Sequence, residues 1–410
     1  MPLWEGDGDG YDDHRDRGGC CCWVRSAGYM ESTIGQYEKS IRALSGYARR
    51  HGTTIYTPAL GAGFASLTTS PRTGRFSAQR RFDYRRLVAV FDSCLATGRA
   101  DLSVRKRGGG GPKPTGDQFV ALDVSWEADM AGRGLAAATR EAYGRMARGY
   151  LCFLESSGIF DVDAADGGTV LSFLASLSPR WAKTSLFWVV SNFRPFLAFT
   201  GRADLVDAVS LAGAKRSHTI VPVLDDNDQR LVVTACASDV VCARDAAITL
   251  LALSTGLRAC DIVDLRLSNV DWRGQTISIV QRKTGNPLTV PLTELLASRL
   301  ADYVLRDRPR TGDEHVFLRR LAPHVRLGDH AAIHRVTAEV FRAAGVADVR
   351  AGTRLLRHNA ASRMLRAATP LPTISAVLGH ASEESTKRYM SVDDDRLLAC
   401  VLPVPEGARP

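Results

Sequence analysis

A duplication in the front half constrains this chain more than any other feature. The segment Thr33-Ile-Gly-Gln-Tyr37 leads on to Gly52, and the segment Thr139-Arg-Glu-Ala-Tyr143 leads on to Gly158. Thr-to-Tyr is four residues and Tyr-to-Gly fifteen in both. Each copy then closes on the same six residues, TGRADL, at 97–102 and again at 200–205. Such matches, in the same order, describe one unit used twice. Apolar residues recur at helical spacing, so each unit is expected to open with a threonine-capped amphipathic helix that its glycine ends. A later helix precedes each TGRADL turn, as YRRLVAVFDSCLATG and as LFWVVSNFRPFLAFTG.

At 410 residues the chain is long enough for two to four domains. Its 53 Lys and Arg against 44 Asp and Glu give a net charge of +9, which favours a polyanionic partner, although a merely basic surface reads the same way. The aromatic stripe of Phe187, Trp188, Phe193, Phe196 and Phe199 is simplest as core; stacking of bases is the alternative. No run of eighteen apolar residues occurs, so no membrane span is expected. The start, GDGDGYDDHRDRGG, is acidic and glycine-rich, the wrong character for a signal peptide. Residues 1–29 read as a disordered segment, and translation could begin at Met30. Cys20, Cys21 and Cys22 lack a second Cys or His pair, so they make no zinc template and fit a reduced, cytoplasmic protein without a metal.

The expected domains are a helical unit over 30–104, a basic Gly/Pro linker over 105–117 (with RKRGGGGPKP), a second helical unit over 118–206, a linker over 207–218, a larger domain over 219–402 and a tail over 403–410. The linkers are either solvated tethers or sites where positive charge lies near phosphates. From Leu224 the pattern changes. Two helices come first, the second apolar enough to be central. Then VDWRGQTISIVQRKTGNPLTVPL alternates apolar and polar residues around turns at Trp272-Arg-Gly274 and Lys283-Thr-Gly285, a three-stranded antiparallel meander. Helices return after Pro291. The class is α+β: mostly helical, with a small three-stranded antiparallel sheet in the last domain.

Four segments of that domain each carry unusual polar residues. In STGLRACDIVDL, Arg258 follows a buried helix and needs an anion or a carboxylate; Asp261 could hold it from behind. Lys283 stands at a hairpin tip, where a lysine often only protects a sheet edge. In GTRLLRHNAASRML, Arg354 and Arg357 are three apart and share a helix face, which is costly unless an anion lies between them. In LGHASEESTKRYM, His380 follows a glycine and Tyr389 lies nine residues further on.

In that order these motifs resemble the tyrosine recombinase (phage integrase) family over about residues 219–402, and the front units look like that family's helical core-binding domains. The resemblance implies that Tyr389 attacks a DNA phosphorus to give a 3′-phosphotyrosyl link, with no ATP, metal or other cofactor. It implies that Arg258 and Arg357 clamp the phosphate, that Lys283 protonates the leaving 5′-oxygen and that His380 donates to the phosphate. Arg354 stands where the family usually has a histidine that assists removal of the tyrosine proton. An arginine cannot be that base, which leaves the base open; neighbouring His358 is the alternative for the proton transfer, although its place on the helix points elsewhere. The implied partner is double-stranded DNA, bound by a tetramer on two sites, in an integrase or transposase of a mobile element. The alternatives are a DNA-binding relative that no longer cleaves and a relaxing type IB topoisomerase.

Overall fold

The computed structural model describes residues 23–102, 111–178, 181–182, 185–212, 222–328, 330–346 and 352–379. Those up to Val104 and from Ile220 onward group into one compact unit, and those between Arg105 and Thr219 into a second.

The first repeat copy forms three helices, α1 (Glu31–Arg50), α2 (Pro58–Ala65) and α3 (Ala78–Thr97). α1 buries Ile34, Tyr37, Ser40, Leu44 and Ala48, one stripe at helical spacing, against Tyr56, Phe64, Leu87 and Phe91. The threonine expected as its cap is not one. The helix starts two residues earlier, with Met30 at the cap and no side-chain bond there. Gly52 does end it, at φ +67 just past His51. Residues 23–29, expected to be disordered, are ordered: Val24 is buried in this core and the Tyr29 hydroxyl donates to the Leu102 carbonyl at 3.0 Å. Trp23 to Ser26 form a helical turn.

The second copy has α4 (Asp117–Gly132), α5 (Ala137–Ser156), α6 (Gly167–Leu177), α7 (Leu186–Phe199) and α8 (Ala203–Leu211). α5 matches α1 in length and in its glycine end, Gly158 at φ +76, and Thr139 likewise lies inside the helix rather than capping it. The aromatic stripe divides. Phe193 and Phe196 are fully buried with Trp126 and Tyr150, whereas Phe187 is 40% and Trp188 39% exposed, Trp188 stacking on Trp181. Residues 207–211, expected as linker, are the end of α8, with Ala208 and Val209 buried. The TGRADL turn ties this unit together: Arg202 donates to the carbonyls of Val162, Asp163 and Ala165 and pairs with Asp204 at 2.7 Å. Its counterpart in the first copy, Arg99, is exposed.

The larger domain is built around α10 (Ala243–Thr255), every residue of which except Ser254 is buried. It packs against α9 (Asp226–Ala237), α12 (Glu294–Asp302), α13 (His330–Ala343) and α14 (Thr353–Arg366). After α10 comes the short α11 (Ala259–Val263), then an antiparallel sheet of β1 (Val270–Asp271), β2 (Thr276–Val280) and β3 (Pro287–Pro291), in that order. β2 pairs with β3 from Thr276↔Pro291 to Val280↔Pro287. α15 (Leu371–Leu378) ends on Gly379 at φ +60.

Candidate active site

α10 stops at Gly256, whose left-handed φ of +65 turns the chain so that Arg258 becomes the residue before α11. A Cβ on Gly256 would meet Leu378 Cδ2 at 2.9 Å and the Ala360 methyl at 3.1 Å, so the turn is pressed onto α14 and α15. That close approach brings the two arginines together. Arg357, 9% exposed on α14, donates to the Gly256 carbonyl at 2.9 Å and to the Leu378 carbonyl at 2.5 Å. Arg258 donates to the next carbonyl, Gly379, at 2.8 Å, and to Gln281 Oε1 at 3.3 Å. Two guanidiniums from distant segments thus rest on consecutive peptide carbonyls, immediately before His380. Only two of the five N–H donors of Arg258 are used on described residues, which leaves others for an oxyanion.

Lys283 lies in the turn between β2 and β3, is exposed, and makes no hydrogen bond or ion pair among the described residues. The turn itself is well held. The Gln281 backbone amide donates to the Asn286 carbonyl at 2.8 Å, the Gln281 carbonyl accepts from the Gly285 amide at 2.8 Å, and the Arg282 amide donates to Asp261 Oδ1 at 2.9 Å. Arg282 also pairs with Asp264 at 2.9 Å, and Arg326 pairs with the same carboxylate.

The expectation that Asp261 holds Arg258 is overturned. The carboxylate is 4% exposed, but it accepts from the hairpin backbone and the Cys260 thiol rather than from the guanidinium. Arg258 sits at the N-terminal edge of α11, and its side chain runs toward α15. Burial pushes the Cys260 thiol pKa up, and the neighbouring Asp261 pushes it further, which disfavours the thiolate.

Arg354 is exposed at the start of α14 and, unlike Arg357 one turn on, makes no ion pair or hydrogen bond among the described residues. His358 is buried, facing the domain interior rather than sharing the exposure of Arg354. His380 and Tyr389 lie outside the described residues. The sequence reading overlooked Gln281. The signal was there: Ile277 and Ile279 face inward along β2, and the same alternation places Gln281 inward, at 0% exposure.

The phage integrase family model matches residues 222–396, a span that includes all six expected site residues. Tyrosine recombinase XerC of Rhizobium meliloti is 31% identical over 298 residues, which cover 68% of this chain and 92% of XerC. The y4rF protein of Sinorhizobium fredii, an integrase/recombinase by name, is 33% identical over 242 residues, 58% of this chain but only 56% of the relative. The chain therefore spans little more than half the length of that relative. In fold it is similar to the XerH site-specific recombinase crystallised in a pre-cleavage complex with its difH substrate: TM-score 0.50, 14% identity, 83% of this chain and 93% of XerH covered. The chain belongs to the phage integrase family, the tyrosine recombinases.

Proposed function

We propose that this protein is a site-specific DNA recombinase of a mobile element, which cleaves and rejoins double-stranded DNA through Tyr389. One observation carries the reading. Arg258 and Arg357 are both bonded to the Leu378–Gly379 carbonyls, and the turn that bears Lys283 is joined to Arg258 through Gln281. Two fixed positive charges, joined to a turn that carries a lysine, suit a phosphodiester whose charge grows during displacement. In the proposed reaction the Tyr389 oxygen bonds to phosphorus while the bond from phosphorus to the 5′-oxygen breaks. Lys283 gives that oxygen a proton, and the 3′-phosphate stays on the tyrosine until a 5′-hydroxyl reverses the step. Bond energy is stored in the phosphotyrosine, so no nucleotide is consumed. The guanidiniums supply the charge neutralisation that a divalent ion would otherwise give. His380 would donate to the phosphate, and Arg354 would ease loss of the phenol proton by its charge alone.

The acting form would be a tetramer on two DNA sites in the cytoplasm; no helix among the described residues is long and apolar enough to cross a membrane. XerH is described as bound to its difH substrate, a recombinase on DNA, which supports a DNA partner here. A second reading, DNA binding without cleavage, is favoured by one fact: a permanently charged arginine occupies position 354. A nicked duplex built from the DNA flanking the encoding gene separates the two. The recombinase reading expects a covalent adduct that Tyr389→Phe abolishes, and binding with no adduct from the unaltered chain would overturn it. Exchange between two labelled duplexes, rather than relaxation of a supercoiled circle, separates it from a topoisomerase.

A further inference from the structure

Gln281 is wholly buried, yet it is polar and sits between three parts of the site. Its Oε1 accepts from Arg258 at 3.3 Å and from the Thr284 hydroxyl at 3.0 Å, and Thr284 is the neighbour of Lys283. An arginine can only donate, so this oxygen assignment is fixed by chemistry. The amide also fills the space over Gly379: a Cβ there would fall 1.4 Å from Oε1. Its Nε2 is buried with no partner among the described residues. A buried amide left half satisfied costs stability and persists where the surroundings hold it for another purpose.

The geometry points to Gln281 as a positioning residue that locks the Lys283 turn onto Arg258, so that the proton donor and the phosphate clamp are set at one fixed spacing. This rests on the recombinase reading for its chemistry. Lys283 is itself exposed, and the backbone bonds of its turn fix shape but not attachment. Attachment at the buried side comes from Gln281 to Arg258, helped by Asp261 to the Arg282 amide and, at the exposed side, by the Arg282–Asp264 ion pair. Loss of the amide leaves the guanidinium clamp in place while the ammonium wanders. The defect should therefore fall on protonation of the leaving oxygen.

The test uses the full chain with Gln281→Met, which keeps the side-chain length but removes the acceptor, on a nicked duplex from the DNA flanking the encoding gene. Cleavage should fall by roughly ten- to a hundredfold with DNA affinity unchanged. With sulfur in place of the scissile 5′-oxygen, a leaving group that needs no proton, the rate should return close to that of the unaltered chain. The double change with Lys283→Ala should be no slower than Lys283→Ala alone. An equal loss on oxygen and sulfur substrates, or additive losses, would overturn the assignment. Thr284→Val, which leaves the core untouched, should show the same sulfur rescue in weaker form. Hydrogen exchange at residues 282–285 requires no cleavage: it should speed up in Gln281→Met without a change in α10, and unchanged exchange refutes the lock even if the chain forms no adduct.

Discussion

Arg258 and Arg357 contribute most through where their donors already point. Each donates to a carbonyl at the end of α15, so under the proposed reaction the charges would be arranged before DNA arrives and little reorganisation would be required when a phosphate enters. Arg357→Lys loses the fork geometry and should slow cleavage by about a hundred- to a thousandfold while leaving duplex binding within a few-fold, measured by adduct formation and gel shift. Gly379→Ala should be worse than a point change on a surface turn. Its φ of +60 already disfavours a side chain, and the new methyl would overlap Gln281. A loss of about 2 kcal/mol or more is expected in urea melts, together with loss of cleavage. Arg354→His should raise the cleavage rate above that of the natural chain at pH 7.5, an advantage that fades below about pH 6 as the imidazole protonates. No rate gain at either pH would show that position 354 does not serve the tyrosine's proton. The motifs pointed to Arg258 and Arg357 as unusual arginines, which the structure brings onto consecutive carbonyls, whereas Lys283 was singled out by the family resemblance and not by its own local pattern. Gln281 and the true partner of Asp261 were not readable. Their meaning lies in contacts made 23 and 21 positions away, which no local periodicity reports.

Among the elements, those with a clear period were legible: α1 and α5, which open the two copies, the buried α10 and the meander with both of its turns. Helix starts were not. Threonine is a good cap in isolation, but in both copies the helix has already begun two residues before it, at Glu31 and at Ala137, with the buried stripe starting only after the threonine. The stripe of α7 shows the same limit: aromatic spacing alone does not tell which residues face the core. Phe193→Ala should cost about 3–5 kcal/mol of unfolding free energy, whereas Phe187→Ala should stay within about 0.5 kcal/mol, both read from denaturant melts of the full chain. Similar costs at both positions would mean that the exposed part of the stripe is covered by something else.

At the scale of the whole molecule, the duplicated front unit and the net charge of +9 are the features that a minimal nuclease-like site does not need. If both front copies contact DNA, as their likeness to core-binding domains implies, deleting residues 1–110 should shorten the footprint and reduce the salt dependence of binding, while the nicked substrate is still cleaved. An unchanged footprint would assign that copy to protein contacts. The central claim is that one phenol, Tyr389, takes the 3′-phosphate beside the paired arginines. Digesting the covalent protein–DNA product and identifying the linked peptide and the free DNA end tests this most directly. The expected result is DNA joined by its 3′-phosphate to the peptide containing Tyr389, with a 5′-hydroxyl released. A link to any other residue, or a 5′-phosphate on the protein, would contradict it.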